Sequence, residues 1–161
     1  MDRRPQVAVA GGGADLPRRL RAAAEEVGEG LAAAGFTIVC GGLGGVMEAA
    51  ARGARRGGGD VLAVLPGDDP GAANPYCTHV VATGIGHARN LAVVASARAV
   101  VVIGGEWGTL SEIGFARRLG RPVVALETWT VEGVGPIAGA PGIEAVDDPA
   151  AAVTAVSRVL A

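Results

Sequence analysis

Runs of Val, Ile and Ala with no polar alternation recur along the chain, separated by longer segments in which Ala and Leu are spaced among Arg and Glu at helical intervals. Glycines mark most of the junctions. Strands are predicted at Val7–Ala10, Thr37–Cys40, Val61–Leu65, His79–Val81, Ala99–Ile103 and Pro122–Leu126, with a short edge strand at Ile143–Val146. Helices are predicted over Leu16–Ala34, Gly45–Arg56, His87–Ala97, Thr109–Leu119 and Pro149–Leu160. A strand with no polar face must be covered on both sides, so helices are expected on either side of the sheet. The expected fold is a single α/β domain over residues 1–161, a Rossmann-like doubly wound sheet, mainly parallel, of about six or seven strands. Pro66–Tyr76, with three prolines and two glycines, reads as a loop beside the carboxyl edge of the sheet that could shape a pocket.

Composition narrows the function classes. With 161 residues, half of them hydrophobic, the chain can bury one core but not two ordinary ones. A net charge of -2 and a pI near 5.7 give no pull toward nucleic acid or an anionic membrane, so neither is expected as a partner. No apolar run reaches membrane-spanning length, and Met1-Asp2-Arg3-Arg4-Pro5 leads into a strand rather than a signal sequence, so a cytoplasmic location is expected. Cys40 and Cys77 show no metal-ligand spacing and fit a reducing compartment; no metal is expected. All 14 basic residues are arginine. Without a lysine the chain can run neither Schiff-base chemistry nor a Walker A phosphate loop.

In open α/β sheets ligands bind where strands end and helices begin, so the glycine-rich junctions are the candidate sites. The first, Gly11-Gly12-Gly13 running to Leu16, has Leu16 where a dinucleotide fingerprint has its third glycine, which disfavours nicotinamide and flavin dinucleotides. The second, Gly41-Gly42-Leu43-Gly44-Gly45-Val46-Met47-Glu48, fits a tight structural turn as well as it fits a ligand approach. The third follows the strand Ala99–Ile103: Gly104-Gly105-Glu106-Trp107-Gly108-Thr109-Leu110-Ser111-Glu112. A glycine turn opening a helix leaves backbone N–H groups unpaired at the positive end of the helix dipole, which makes an anion site with phosphate as the expected occupant.

In this order the motifs resemble the LOG-type or "lysine decarboxylase-like" Rossmann superfamily, and most closely its small bacterial branch with molybdenum-cofactor-carrier-like members. The resemblance spans nearly the whole chain and rests on Gly41 to Ala50, Leu65-Pro66-Gly67 with Asn74-Pro75-Tyr76, Thr83-Gly84 with Ala88-Arg89-Asn90, and the Gly104 to Glu112 loop. It implies a ligand site built from Gly11, Gly12, Gly13, Gly41, Gly42, Gly45, Met47, Asn90, Gly104, Gly105, Trp107, Gly108 and Thr109. The superfamily's phosphoribohydrolases split a nucleoside 5'-monophosphate into base and ribose 5-phosphate, and their arginine and glutamate fall on Arg89 and Glu112. A carboxylate can stabilise an oxocarbenium-like state while arginine forks onto the substrate, so the two residue types suit that chemistry.

Each residue also has a plainer reading. Thr109-Leu110-Ser111-Glu112 fits a capping box in which Glu112 only closes the helix terminus. Arg89 sits near a helix start, where the dipole disfavours a cation, and either a ligand or a salt bridge could hold it there. Trp107 could stack on a base or pack at a subunit contact. His87 reads as structural, and Asp68-Asp69 as solvated turn residues. The loop also departs from the hydrolase form Pro-Gly-Gly-x-Gly-Thr-x-x-Glu, with Gly104 at the proline and Glu106 at the second glycine. A carboxylate at residue 106 repels a phosphate unless it points away, the anion sits elsewhere, or a cation intervenes. Two functions therefore stand side by side: N-glycosidic hydrolysis of a nucleoside monophosphate, and turnover-free carriage of a phosphorylated pterin or nucleotide. No cofactor is required by either. The apolar helix His87–Ala97 and the resemblance together imply a homodimer or larger symmetric assembly.

Overall fold

The computed structural model describes residues 3–13, 15–130 and 142–161. Met1 and Asp2 of the N-terminal lead-in and Ala14 of the first glycine junction lie outside them. Among the described residues seven strands form one sheet: β1 (Gln6–Gly11), β2 (Thr37–Cys40), β3 (Val61–Leu65), β4 (His79–Ala82), β5 (Ala99–Ile103), β6 (Val123–Leu126) and β7 (Ile143–Val146). Their order is β4-β3-β2-β1-β5-β6-β7, and every pairing is parallel. Among the described residues there are five α-helices: α1 (Arg18–Ala33), α2 (Val46–Arg56), α3 (Arg89–Ser96), α4 (Trp107–Arg118) and α5 (Pro149–Leu160).

Helices α1, α2 and α5 pack on one face of the sheet and α3 and α4 on the other, each layer enclosing its own set of buried Val, Ile, Leu and Ala side chains. The central strands β1 and β5 are buried on both faces, as their uninterrupted apolar sequence requires. Coverage fails at the edge: β4 leaves Val80 and Val81 exposed, so the expectation of helices over both faces holds for the inner strands only.

Element ends differ from the sequence reading for local reasons. Helix α1 starts at Arg18 rather than Leu16, because a residue preceding proline is pushed out of the helical region and Pro17 takes the N-cap position. The predicted helix from His87 divides into a 3₁₀ turn, Gly86–Ala88, and α3 proper. Helix α4 begins at Trp107, two residues before the predicted Thr109.

Two features set the position of α2, whose first turn faces the carboxyl edge of the sheet. A Cβ on Gly28 would lie 2.0 Å from the carbonyl oxygen of Ala50, and one on Gly53 1.9 Å from that of Glu25, so α1 and α2 cross with their backbones in contact. Arg56 reinforces the crossing with 3.0 Å ion pairs to Glu25 and Glu29, and Arg52 also pairs with Glu25. The loop after β3 supplies the second support. Asn74 donates its backbone N–H to Gly42 O at 2.8 Å and its side-chain amide to Leu43 O at 3.0 Å, which fixes the β2–α2 turn. In the same loop Asp69 Oδ1 accepts the N–H of Gly71, the turn role its sequence context implies.

Because the α1–α2 contact has no room for a side chain, Gly28→Val is expected to destabilise the fold by roughly 3 kcal/mol in urea denaturation, the upper range for overpacking. A loss under about 0.5 kcal/mol, the scale of an ordinary surface change, would contradict the close crossing.

Candidate ligand-binding site

From β1 the chain builds outward to β4, and then α3 carries it back to β5 on the opposite side of β1. The loops that follow β1 and β5 therefore lead to opposite faces and leave a crevice between them. Here the crevice is a cavity of about 200 Å³. Ala10, Gly11 and Gly13 contribute from β1 and its turn, Leu43 and Met47 from the β2–α2 junction, His87, Arg89 and Asn90 from the entry to α3, and Glu106, Gly108, Thr109 and Glu112 from α4 and its cap.

Two side chains dominate its electrostatics. Arg89 is 8% exposed and Glu112 7% exposed, which for charged residues normally requires direct partners. Among the described residues neither makes a salt bridge or a side-chain hydrogen bond, and the Arg89 Nε is buried with no acceptor. Burial pushes the Glu112 carboxyl up from 4.5 to about 7, with the positive charge of Arg89 pulling the other way. Burial likewise lowers Arg89, offset by Glu112 and by Cys40, though a guanidinium stays charged. A cation and a carboxyl poised near neutrality thus share one crevice with hydrogen-bonding capacity to spare. Room for the guanidinium comes from Gly41, where a Cβ would fall 1.8 Å from Arg89 Nη1.

The capping box lies three residues earlier than the sequence indicates. Glu106 is the N-cap of α4 and Thr109 is N3; the Glu106 carboxylate takes the Thr109 N–H, and Thr109 Oγ1 accepts the Glu106 N–H at 3.3 Å. Glu112, on the next turn, is thereby free of capping duty. The same contact settles the direction of Glu106: its side chain lies across the start of α4, with Oε1 3.5 Å from where a Gly12 Cβ would stand. The positive end of α4, the expected phosphate cradle, is occupied by the chain's own carboxylate.

The candidate residues divide by position. Gly11, Gly13, Met47, Arg89, Asn90, Gly108, Thr109 and Glu112 come together around the cavity. Gly12, Gly41, Gly42 and Gly45 stand behind it. Gly12 O accepts the Val46 N–H at 3.0 Å, a Cβ on Gly45 (φ +67) would strike Gly12 O at 2.1 Å, and one on Gly42 (φ +75) would meet Ala63. Gly104 and Gly105 border a neighbouring cavity, and Trp107 projects outward, 77% exposed. Asn90 donates from Nδ2 to Ser111 Oγ at 3.3 Å, tying α3 to α4 across the site. Ala10, Leu43, His87 and Glu106 also line the cavity but were not among the expected ligand contacts. Only Glu106 carried a signal, as an acidic residue in a glycine loop.

The model of the SLOG cluster4 family matches residues 4–153. The chain belongs to that family. An uncharacterized protein of Archaeoglobus fulgidus is 44% identical over 104 residues, 65% of this chain and 68% of that protein. Among solved structures, the molybdenum cofactor binding protein of Rippkaea orientalis superposes with a TM-score of 0.89 at 25% identity, covering 99% of both chains. The molybdenum cofactor carrier protein of Chlamydomonas reinhardtii gives 0.85 at 31% identity, covering 98% of this chain and 99% of that one. The resemblance read from the motifs is thus met by family and by structure, and this SLOG cluster4 protein shares its architecture with cofactor-binding proteins over nearly its full length.

The raised Glu112 titration has a direct consequence for stability. Between pH 4.5 and about 7 the folded protein holds a proton that the unfolded chain releases, so stability falls as pH rises through this window. The Glu112 contribution to the fall is about 3 kcal/mol. Glu112→Gln should flatten that part of the profile in denaturation series across the window; parallel wild-type and variant profiles would contradict a buried, unpartnered carboxyl.

Proposed function

We propose that this protein binds and carries a small phosphorylated ligand, a phosphorylated pterin of the molybdenum cofactor type, in the Arg89–Glu112 cavity without turning it over. The observation that carries this reading is the pair of buried side chains, Arg89 and Glu112, which make no salt bridge among the described residues, with the Arg89 Nε lacking an acceptor there. A phosphate supplies the fork of acceptors that Arg89 lacks. The aminopyrimidinone edge of a pterin supplies N–H donors for a carboxylate, and the guanine edge offers the same pattern, so Glu112 suits either ring. Among the described residues no group of three or more His, Cys, Asp or Glu is placed to hold a metal ion, so the reading rests on the organic part of the ligand. The structural likeness to cofactor-binding proteins supports it. A symmetric homodimer using the exposed Leu91 edge of α3, and a cytoplasmic location, complete the proposal.

Glycosidic hydrolysis is the second reading, favoured by a carboxyl that titrates near 7 beside an arginine. Glu106 weighs against it, because its carboxylate fills the helix terminus where a 5'-phosphate would be cradled. Both readings are tested together. Calorimetry with neopterin monophosphate should give saturable binding that weakens at least about tenfold in Arg89→Gln, the cost of a lost charge-assisted contact. A panel of nucleoside 5'-monophosphates should release no base. Equal binding by the variant would remove Arg89 from the site, and base release that disappears in Glu112→Ala would establish the hydrolase.

Glu106→Gly should uncover the α4 terminus and tighten nucleoside monophosphate binding by about tenfold or more, while the lost cap costs about 1 kcal/mol of stability. Unchanged or weaker affinity would show that the phosphate does not approach α4.

A further inference from the structure

Beside the Arg89–Glu112 cavity lies a second one, of about 380 Å³, bounded by Gly104, Gly105, Glu127, Thr128, Trp129 and Thr130. The two cavities share the β5–α4 turn, whose first two residues border the second and whose later residues border the first. Three observations on the second cavity point to a ligand. Thr128 Oγ1 is buried and has no hydrogen-bond partner among the described residues, an unmet polar group in a site with room for one. The chain's only two tryptophans meet at its rim: the Trp107 and Trp129 rings are 5.4 Å apart and tilted by 37°, yet Trp107 is 77% exposed and Trp129 37%. Glu127 is held at φ +50, a left-handed conformation that a non-glycine residue seldom adopts, with its carboxylate 2.5 Å from Arg19 Nη1.

These features select a chemical class. Tilted rings with exposed faces bury apolar surface when a flat aromatic system stacks on them. The volume is ample for a bicyclic ring. A hydroxyl that can donate or accept and a carboxylate that accepts match the mixed edge of an amino-substituted nitrogen heterocycle. Arg19 already neutralises Glu127, and none of the residues lining the cavity is a cation, so nothing here holds a phosphate and the charged end of any ligand lies elsewhere. We propose that this cavity is a stacking site for an uncharged bicyclic nitrogen heterocycle, a purine or pterin ring, with Trp129 as its platform and Thr128 as its polar contact. It stands independently of what the Arg89–Glu112 cavity holds.

Because Trp129 lines the site and Trp107 packs against it, intrinsic fluorescence reports on it directly. Guanosine, adenosine and cytidine would be titrated against the whole protein, with biopterin followed by calorimetry; none carries a phosphate. The expected result is saturable binding of guanosine, adenosine or biopterin, stronger than cytidine, and unchanged in Arg89→Gln. Trp129→Ala should weaken it at least about tenfold, within the range for base stacking on an aromatic side chain, while Trp129→Phe keeps it within about threefold. Thr128→Val preserves the shape of the wall and should weaken binding about fivefold through the lost hydrogen bond, which keeps the test valid if Trp129→Ala misfolds. The proposal is overturned by the absence of saturable binding up to millimolar concentration, by wild-type affinity in both Trp129→Ala and Thr128→Val, or by equal loss in Arg89→Gln, which would move the ring to the first cavity. A preference for biopterin over guanosine identifies the ring as a pterin, and the reverse as a purine.

Discussion

An arginine and a glutamate withdrawn from water in one crevice at the carboxyl edge of a parallel sheet normally neutralise each other through a hydrogen-bonded ion pair, since an isolated buried charge is among the most costly things a fold can contain. Arg89 and Glu112 lie close enough to shift one another's titration but make no salt bridge. Their unmet hydrogen-bonding capacity faces a crevice that the sheet topology creates. The glycine turns and the loop after β3 hold the walls of that crevice.

The backbone contacts show how the walls are held. Glycine at 41 admits the guanidinium, and glycine at 45 lets the first turn of α2 press on Gly12 and Gly13. The loop after β3 ties down the β2–α2 turn through Asn74, and the backbone crossing of α1 and α2 sets the height of that turn over the sheet. At α4, Glu106 and Thr109 cap the helix between them and leave Glu112 unengaged. A capping glutamate in a glycine-rich loop has a further effect, since it neutralises the site where this loop form would otherwise receive a phosphate. The glycine-rich turn thus opens α4 with the chain's own carboxylate over the helix terminus, and Arg89 is the arginine that lines the crevice.

Much of the fold was legible in the sequence because the parallel strands lack polar alternation and the glycine junctions fall at their carboxyl ends. The seven strands and five helices appear where that pattern places them, with ends shifted by Pro17 at α1 and by the Glu106 cap at α4. Arg89 and Glu112 could be singled out because the motifs resemble those of LOG-type proteins, whose arginine and glutamate fall on these two positions. What could not be read is which partner each polar group chooses. Glu106 and Glu112 both lie three residues from Thr109, on opposite sides, so a capping box could be drawn either way. The glycines posed a related problem: one that receives a ligand and one that admits close packing look alike in sequence, and in the structure Gly45 packs against the Gly12–Gly13 backbone and Gly42 against the Ala63 and Leu65 side chains. Trp107 and Trp129 are 22 positions apart and meet only because β5 and β6 are neighbours.

Membership of the SLOG cluster4 family and the likeness to molybdenum cofactor binding and carrier proteins give the fold a setting, while the unpaired buried charges give it a reason to hold something. The most direct measurement is native mass spectrometry of the intact protein isolated from a host that makes molybdenum cofactor, with Arg89→Gln isolated in parallel. A retained phosphorylated pterin on the wild-type protein, absent from the variant, is the result expected of a carrier that completes Arg89 with its ligand. A wild-type protein that is empty, or a variant that retains the same mass, would contradict it.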